Sequence, residues 1–210
     1  MKLVYFENET KFESSEDLKK HTGLTKIYFD KDTSVSFQGE ISLAESIHFR
    51  GQSIVSDGVS IDTGCVLKNA TVGKGSNIRA YSIIEDSKFG ESNLIGPFCF
   101  VRDNTFVANN SIVGSYVEVA RSKINSNVKI SHQAFIGDAT IEKSVIIGAG
   151  VVFCNFDGKG KQLSYIGKSS IIGSGTMIVS PVKVGANVVV GAGSVVASDL
   201  DSNTKLIQKR

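Results

Sequence analysis

Residues 166–196 read IGKSSIIGSGTMIVSPVKVGANVVVGAGSVV, and this stretch decides the fold. A period of six residues matches neither the turn of a helix, about 3.6 residues, nor the alternation of an ordinary strand, so it indicates an array of repeated units. Each unit is expected to be a short strand and a tight turn with one aliphatic side chain inside. Stacked units then bury a continuous apolar column. The inward positions are Ile166, Ile172, Ile178, Val184, Val190 and Val196.

The same period extends upstream through most of the chain. The period begins at Val35, is irregular near residues 53–60, and resumes at Val66. It is shortened by one residue at three later places and is interrupted once, at 153–165. Such arrays form a triangular prism in which three strands make one coil of about 18 residues and climb about 4.8 Å. The sequence therefore predicts an all-β parallel solenoid over residues 31–198, with about nine coils at that rise.

The two ends of the chain lie outside this period. Residues 1–30 are expected to form an arm or cap, because the end of a solenoid needs covering. Within them, Ser14 predicts the N-cap of a short helix that Gly23 would end. Residues 199–210 form a polar tail.

The composition excludes several classes of protein. The 210 residues are 41% hydrophobic and 21% charged, which is ordinary for a globular domain. A net charge of +2 is too small for a nucleic-acid surface, and no apolar run reaches the roughly 18 residues of a membrane span. Three widely separated cysteines argue against disulfides, and the first residues do not resemble a secretory signal. We therefore expect a cytoplasmic protein with neither nucleic-acid nor membrane partners.

The interruption of the period marks a candidate site. His132, one of three histidines, lies upstream of the loop 153–165, which contains Asn155 and Lys161, and Ser174 lies on the coil after it. Histidine is the usual general base near neutral pH, and polar groups beside it would stabilise an oxyanion. An acyl transfer with His132 as base is one interpretation. The other makes His132 a surface residue and the loop a subunit contact.

The remaining histidines take no part in either interpretation. His21 is expected at a helix end, and His48 in a repeat turn.

Several segments carry more specific motifs than the six-residue period. They are 62–69 (DTGCVLKN), 95–98 (IGPF), 131–150, 154–158 (CNFDG), 172–174 (IGS) and 179–182 (VSPV). These segments resemble the acetyltransferase domain of bacterial glucosamine-1-phosphate acetyltransferases, which in that family is fused to an N-acetylglucosamine-1-phosphate uridyltransferase. The resemblance covers roughly residues 31–200 and implies the left-handed form of the β-helix. The uridyltransferase domain is not expected here, because the roughly thirty residues ahead of the array are too few for it.

The resemblance implies an acetyl-CoA-dependent acetyltransferase that requires no metal, with the general base at His132. Asn155 and Ser174 are the polar groups predicted to assist it. The family's cofactor contacts fall on Ala149, Asn155, Phe156, Ser174, Ala192 and, in the loosely matched tail, Lys209 or Arg210. Its acceptor contacts fall on Arg102, Phe135, Ile146 and Lys161.

Four positions depart from the family's pattern. A phosphate-binding lysine is Ala120, a tyrosine is Phe135, an asparagine is Ile146, and the tyrosine after the loop asparagine is Phe156. The first three remove a cation, a hydroxyl and an amide from the acceptor side. Sites built on hydrogen bonds discriminate strongly, so we expect an amino-sugar or other small-amine acceptor that is not glucosamine 1-phosphate itself.

Other functions remain open from the sequence. The same base could serve O-acetylation of a hydroxyl, and a non-catalytic scaffold or regulatory role would also fit the lost acceptor contacts. A metal-dependent prism with three histidine ligands is disfavoured, since only two histidines lie in the array. Flat β faces favour a homotrimer with its sites between subunits.

Overall fold

The computed structural model describes residues 1–207, and within them the chain is a parallel β-helix. Each coil crosses three faces, here called A, B and C in chain order, with a corner between successive faces. Face A is a ten-stranded sheet. Its strands are Ile27–Phe29, Ile47–Arg50, Val66–Lys68, Ile83–Glu85, Phe100–Arg102, Glu118–Ala120, Phe135–Gly137, Val152–Cys154, Met177–Val179 and Val195–Val196.

Faces B and C belong to one continuous sheet, which begins with the long strand Ser34–Leu43 on both. Face B continues with Gln52–Val55, Thr71–Val72, Lys88–Phe89, Phe106–Val107, Lys123–Ile124, Ala139–Ile141, Ser164–Ile166 and Lys183–Val184. Face C continues with Ser60–Ile61, Asn77–Ile78, Leu94–Ile95, Ile112–Ser115, Lys129–His132, Ile146–Ile147, Ile171–Ile172, Val189–Val190 and Lys205–Leu206.

The predicted fold class, an all-β solenoid of hexapeptide coils, is confirmed. The six predicted inward positions of the 166–196 stretch are each at most 2% exposed, as the period requires. One inward position was predicted wrongly: Val66 is half-buried, and its neighbour Leu67 is fully buried. The reason is one more short step in the period, from Leu67 to Val72, which places Leu67 in register with Ile84.

The number of coils also differs from the expectation. Face A has ten strands within the described residues, where the sequence predicted about nine coils. The additional strand is Ile27–Phe29, which pairs in parallel with Ile47–Arg50 although it precedes residue 31.

The residues before the first coil cover its open end. The strand Lys2–Phe12 pairs antiparallel with Ser34–Leu43. The helix Ser15–Thr22 confirms the capping prediction: the Ser14 hydroxyl accepts the amide proton of Asp17, and Gly23 ends the helix with φ 68°. This helix buries Leu18 against the prism.

Two further expectations can be compared with the structure. His21 lies in the last turn of the helix, as predicted. His48 lies in the strand Ile47–Arg50 rather than in a turn, and its Nε2 is 2.7 Å from Oδ1 of Asp30. No helix of the described residues is long and apolar enough to cross a membrane.

Candidate functional site

The corner between faces C and A carries His132 and is called here the histidine corner. His132 ends the strand Lys129–His132 and pairs with Ser115 one coil below it. The next coils continue the column: the Gly175 amide donates to the Ala149 carbonyl, and the Gly193 amide donates to the Ser174 carbonyl, both at 2.8 Å. His132, Ala149, Ser174 and Ala192 therefore lie on four successive coils of one corner.

The histidine side chain is exposed at this corner. Within residues 1–207 its ring nitrogens have no hydrogen-bond partner, so the imidazole is available to exchange a proton with a ligand. Two of the three cysteines, Cys65 and Cys99, are buried in the core, and their thiols are unsuited to nucleophilic catalysis. Burial raises the pKa of Cys65 to about 11 and that of Cys99 to about 12, which keeps both protonated near neutral pH.

Glycine residues allow the coils above His132 to stack closely. A Cβ atom on Gly148 would lie 2.5 Å from the Ser174 nitrogen, and one on Gly173 would lie 2.5 Å from the Ala192 nitrogen. No side chain fits at these two positions, because the atoms met belong to the backbone of the next coil. The glycines therefore let these coils stack closely, and Ser174 and Ala192 are exposed beside them.

The coils below His132 carry aromatic residues at the same corner. The rings of Tyr81 and Phe98 stack at 5.4 Å, and those of Phe98 and Tyr116 stack at 5.2 Å, with interplanar angles of 7° and 6°. Their faces contact each other, so their edges point outward, and all three remain about half exposed. This stack was not predicted from the sequence, although the spacing of one coil between its three aromatic residues indicates it.

The two faces that meet at the histidine corner are apolar on the outside. Face C presents Ile146 and Ile171, which are 42% and 43% exposed, and face A presents Met177 and Val195, at 37% and 56%. Face B presents three lysines at the corresponding outward positions together with the apolar Ile54 and Phe106, which are 49% and 41% exposed. The lysines are Lys88, Lys123 and Lys183.

Asn155 lies at the opposite edge of face A, at the corner with face B. Its side-chain amide donates to Oδ2 of Asp138, and its backbone carbonyl accepts the amide proton of Gln162 at 2.7 Å. The strand Phe135–Gly137 separates this corner from His132. One chain therefore does not bring the predicted catalytic residues together: Ser174 shares the corner of His132, and Asn155 does not.

Asp138 belongs to a ladder of charged groups along the corner between faces A and B. Arg121 donates to both of its oxygens, through Nε at 2.8 Å and Nη2 at 3.0 Å. Arg121 also donates to Asp103 at 2.6 Å. Partial burial works to raise the pKa of Asp138, but the hydrogen bonds from Arg121 and Asn155 outweigh it and hold that pKa below its usual range.

Arg102, the predicted phosphate contact, is the lower part of the same ladder. Its Nε and Nη2 both donate to Oε1 of Glu118, at 3.0 and 2.6 Å, and its Nη1 donates to Asp103. Every nitrogen of both guanidinium groups thus has a carboxylate partner. We call Glu118, Arg102, Asp103, Arg121, Asp138 and Asn155 the ion-pair ladder.

The other predicted acceptor residues lie on different surfaces of the chain. Phe135 is on face A, with its ring against Gly137. Ile146 is on face C, across the histidine corner. Lys161 is exposed in the loop, where an antiparallel bridge pairs it with Phe156, a predicted cofactor contact that is also exposed. The predicted acceptor residues therefore occupy two faces and a loop of one chain.

The loop has its own internal support. The Asp157 carboxylate accepts the backbone amide protons of Gly160 and Lys159, both at 2.8 Å, and the side-chain amide of Gln162 at 2.8 Å. These hydrogen bonds lower the pKa of Asp157, and the hydrogen bond from the Gly160 amide has the largest effect. The loop is therefore an ordered hairpin with an exposed tip.

Two expectations concern groups outside this geometry. Lys209, the predicted cofactor contact in the tail, lies outside the described residues. Among residues 1–207, no group of three His, Cys, Asp or Glu side chains could hold a metal ion.

Comparisons with known proteins agree with the hexapeptide coils of the structure. Residues 164–198 match the family described as bacterial transferase hexapeptide (six repeats). The bifunctional protein GlmU of Baumannia cicadellinicola subsp. Homalodisca coagulata is 35% identical over 183 residues, which is 87% of this chain and 36% of that protein. GlmU of Acinetobacter baumannii (strain AYE) is 34% identical over 172 residues, 82% of this chain and 38% of that protein. The chain thus spans little more than a third of the curated relatives it matches.

Solved structures support the fold. The UDP-N-acetylglucosamine acyltransferase of Campylobacter jejuni aligns with a TM-score of 0.53 at 17% identity, over 78% of this chain and 68% of that one. LpxA, the corresponding acyltransferase of Bacteroides fragilis 9343, aligns with a TM-score of 0.52 at 14% identity, over 84% and 64%.

Proposed function

We propose, from the premise that this chain belongs to the hexapeptide-repeat family of bacterial transferases, that it is a CoA-dependent acyltransferase. The proposed reaction moves acetyl from acetyl-CoA to the amine of an amino sugar or another small amine. The observation that carries it is the histidine corner, where His132 begins a column continued by Ala149, Ser174 and Ala192. The cytoplasm is the proposed compartment, in keeping with three free cysteines.

The proposed mechanism follows from an available imidazole at the histidine corner. The acceptor nitrogen attacks the thioester carbonyl, a C–N bond forms, and His132 takes the proton that the nitrogen loses. The tetrahedral intermediate then collapses with cleavage of the C–S bond. The proton passes from His132 to the departing thiolate, so the base is regenerated and free CoA leaves. No step of this scheme requires a metal.

The pantetheine arm is proposed to lie along the histidine corner above His132. Ser174 and Ala192 are exposed along this corner and Ala149 is half-buried, so their small side chains would let their backbone groups reach it. Asn155, Phe156 and Lys209 are proposed to contact the cofactor from a neighbouring subunit.

A homotrimer is proposed because one chain leaves the site incomplete. Faces A and C expose the apolar side chains of Ile146, Ile171, Met177 and Val195 beside the histidine corner. A second copy that covers the apolar faces would bring its own loop corner toward His132. Closed cyclic symmetry lets each chain do this for its neighbour.

The acceptor is proposed to lack a phosphate at the family's phosphate position. Arg102 is neutralised there by Glu118 and Asp103, and Ala120 is fully buried and uncharged. Phe135 and Ile146 add apolar surface to the acceptor side, and Lys161 remains as an exposed cation in the loop. An anion would therefore have to displace an existing carboxylate to reach Arg102.

Acetyl-CoA binding tests the cofactor half of this proposal. At a ligand concentration of about 100 Kd, binding adds about 2.7 kcal/mol to the free energy of unfolding. For a chain of this length the melting temperature should rise by about 5–10 °C. Differential scanning fluorimetry with acetyl-CoA, CoA and ADP measures this rise, with ADP as the control without a pantetheine arm. No rise with either acetyl-CoA or CoA at millimolar concentration would contradict the proposal.

An acceptor panel tests the other half. Release of free CoA thiol is followed with amino sugars, nucleotide sugars, amino acids and their hydroxyl analogues, which also separates N- from O-acetylation. Glucosamine and glucosamine 1-phosphate form a matched pair that differs only in the phosphate. We expect glucosamine 1-phosphate to have a kcat/KM at least about 100-fold below that of the best acceptor, since Arg102 is already paired with carboxylates and Ala120 supplies no cation for its phosphate. Efficient turnover of glucosamine 1-phosphate would contradict our interpretation of Ala120, Phe135 and Ile146.

A further inference from the structure

The ion-pair ladder ends at the base of the loop, at Asp138. Two side chains converge on its carboxylate: Arg121 donates to both oxygens, and the Asn155 amide donates to Oδ2. The backbone carbonyl of Asp138 also accepts the amide proton of Ser164 at 3.0 Å. Asn155 precedes the hairpin and Ser164 follows it, so one residue holds both ends of the loop.

The rest of the loop depends on few other contacts with the prism. Phe156 is 64% exposed and Leu163 is 62% exposed, and neither packs into the core. Between them the contacts are internal, through Asp157 and the bridge between Phe156 and Lys161. The orientation of this ordered hairpin is therefore set at its two ends.

We propose that Asp138 is a positioning residue that fixes the loop 156–163 on the prism by holding Asn155 and Ser164 together, while Arg121 fixes the Asp138 carboxylate. That the loop serves a CoA site rests on the function proposed above. The positioning role itself is a property of the free protein. Asp138 also has the least exposed carboxylate of the ladder, with 16% of its side chain accessible, so few waters are present to replace its partners.

The variant Asp138→Asn changes charge with little change in shape. Arg121 and Asn155 both direct N–H groups at this side chain, so whichever way the new amide turns, its own NH2 group faces a donor. Losing one hydrogen bond to a charged group should speed amide hydrogen exchange in the loop by roughly tenfold. The reporting amides are those of Gln162 and Ser164, which donate to the Asn155 and Asp138 carbonyls.

The matched control is Asp103→Asn. Asp103 accepts from Arg121 and Arg102 in the same ladder and has no contact with the loop. Exchange is measured by mass spectrometry on the ligand-free protein, with the melting temperature of each variant recorded. Asn155→Ala is a second variant, because it removes the donor and leaves the pair of Asp138 and Arg121 intact. We expect faster loop exchange in Asp138→Asn and Asn155→Ala, with Asp103→Asn within about twofold of the native protein.

The outcomes are separable from those of the proposed function. Unchanged loop exchange in both Asp138→Asn and Asn155→Ala would overturn the positioning role. An equal increase in Asp103→Asn would also overturn it, because the ladder would then act only as a general stabiliser. With acetyl-CoA turnover as a second readout, Asp138→Asn should raise KM for acetyl-CoA about 10-fold or more and lower kcat less, since a displaced loop misplaces its ligand contacts. If the native protein shows no acetyl-CoA turnover, the proposed function is contradicted. The role of Asp138 is then decided by the hydrogen-exchange result alone.

Discussion

The variant His132→Ala is expected to lose acetyl transfer by about 10²–10⁴-fold in kcat, the usual contribution of a positioned general base. Its affinity for acetyl-CoA should stay close to native, because the column above it, from Ala149 to Ala192, binds the cofactor through backbone groups in our proposal. The exposed imidazole has no structural hydrogen bond to lose within residues 1–207, so the melting temperature should also be unchanged. Steady-state turnover, calorimetric binding and thermal unfolding measure the three quantities separately.

The matched control for this variant is His48→Ala. His48 lies on face A below the candidate site and interacts with Asp30, so its removal should leave turnover at the native level. Native turnover in His132→Ala would remove this residue from the role of base. Loss of acetyl-CoA binding in His132→Ala would instead make it a cofactor contact.

Mixed trimers extend this prediction to the site between subunits. If His132 of one subunit works with Asn155 of the next, then His132→Ala and Asn155→Ala are each inactive, yet their subunits complement each other. Random co-assembly leaves about a quarter of the interfaces with both native residues, so about a quarter of the native activity should return. A mixture with no more activity than its components would contradict a site shared by His132 of one subunit and Asn155 of the next.

The sequence predicts most of this fold because one aliphatic per turn is a strong and local signal. The six inward positions from Ile166 to Val196 are all buried, and the helix between Ser14 and Gly23 follows from capping chemistry alone. The period fails at Val66 and Leu67, because a short step follows this adjacent aliphatic pair and leaves either residue able to fill the inward position. Register with Ile84 decides between them, and register is a property of stacked coils.

The candidate site was less predictable for a different reason. Spacing indicates which residues share a corner, so His132, Ala149, Ser174 and Ala192 align once the loop is recognised as an insertion. It does not show that Arg102 is neutralised, because Glu118 is its partner only after two coils stack. The place of Asn155 depends likewise on Asp138, 17 residues earlier in the chain.

The variant Phe153→Ala is expected to cost about 3–5 kcal/mol of the free energy of unfolding, the usual range for a buried phenylalanine. Phe153 is 1% exposed inside face A, paired with Ile178 above it, at the point where the regular period stops. Adjacent coils share this column and cannot collapse into the space without breaking their own register. A loss of this size is a large part of the 5–15 kcal/mol typical of a folded domain, so thermal unfolding should begin about 10 °C lower or more.

Phe156→Ala is the matched control, because the same ring is removed three residues further on. Phe156 is 64% exposed at the start of the hairpin, and its removal should change the free energy of unfolding by no more than about 0.5 kcal/mol. Urea unfolding of both variants gives the comparison directly. Phe156 is also a proposed cofactor contact, so Phe156→Ala should raise KM for acetyl-CoA. The main effect of Phe153→Ala should instead be a lower free energy of unfolding. Equal stabilities would contradict the assignment of Phe153 to the core, and an unchanged KM in Phe156→Ala would place the ring outside the cofactor site.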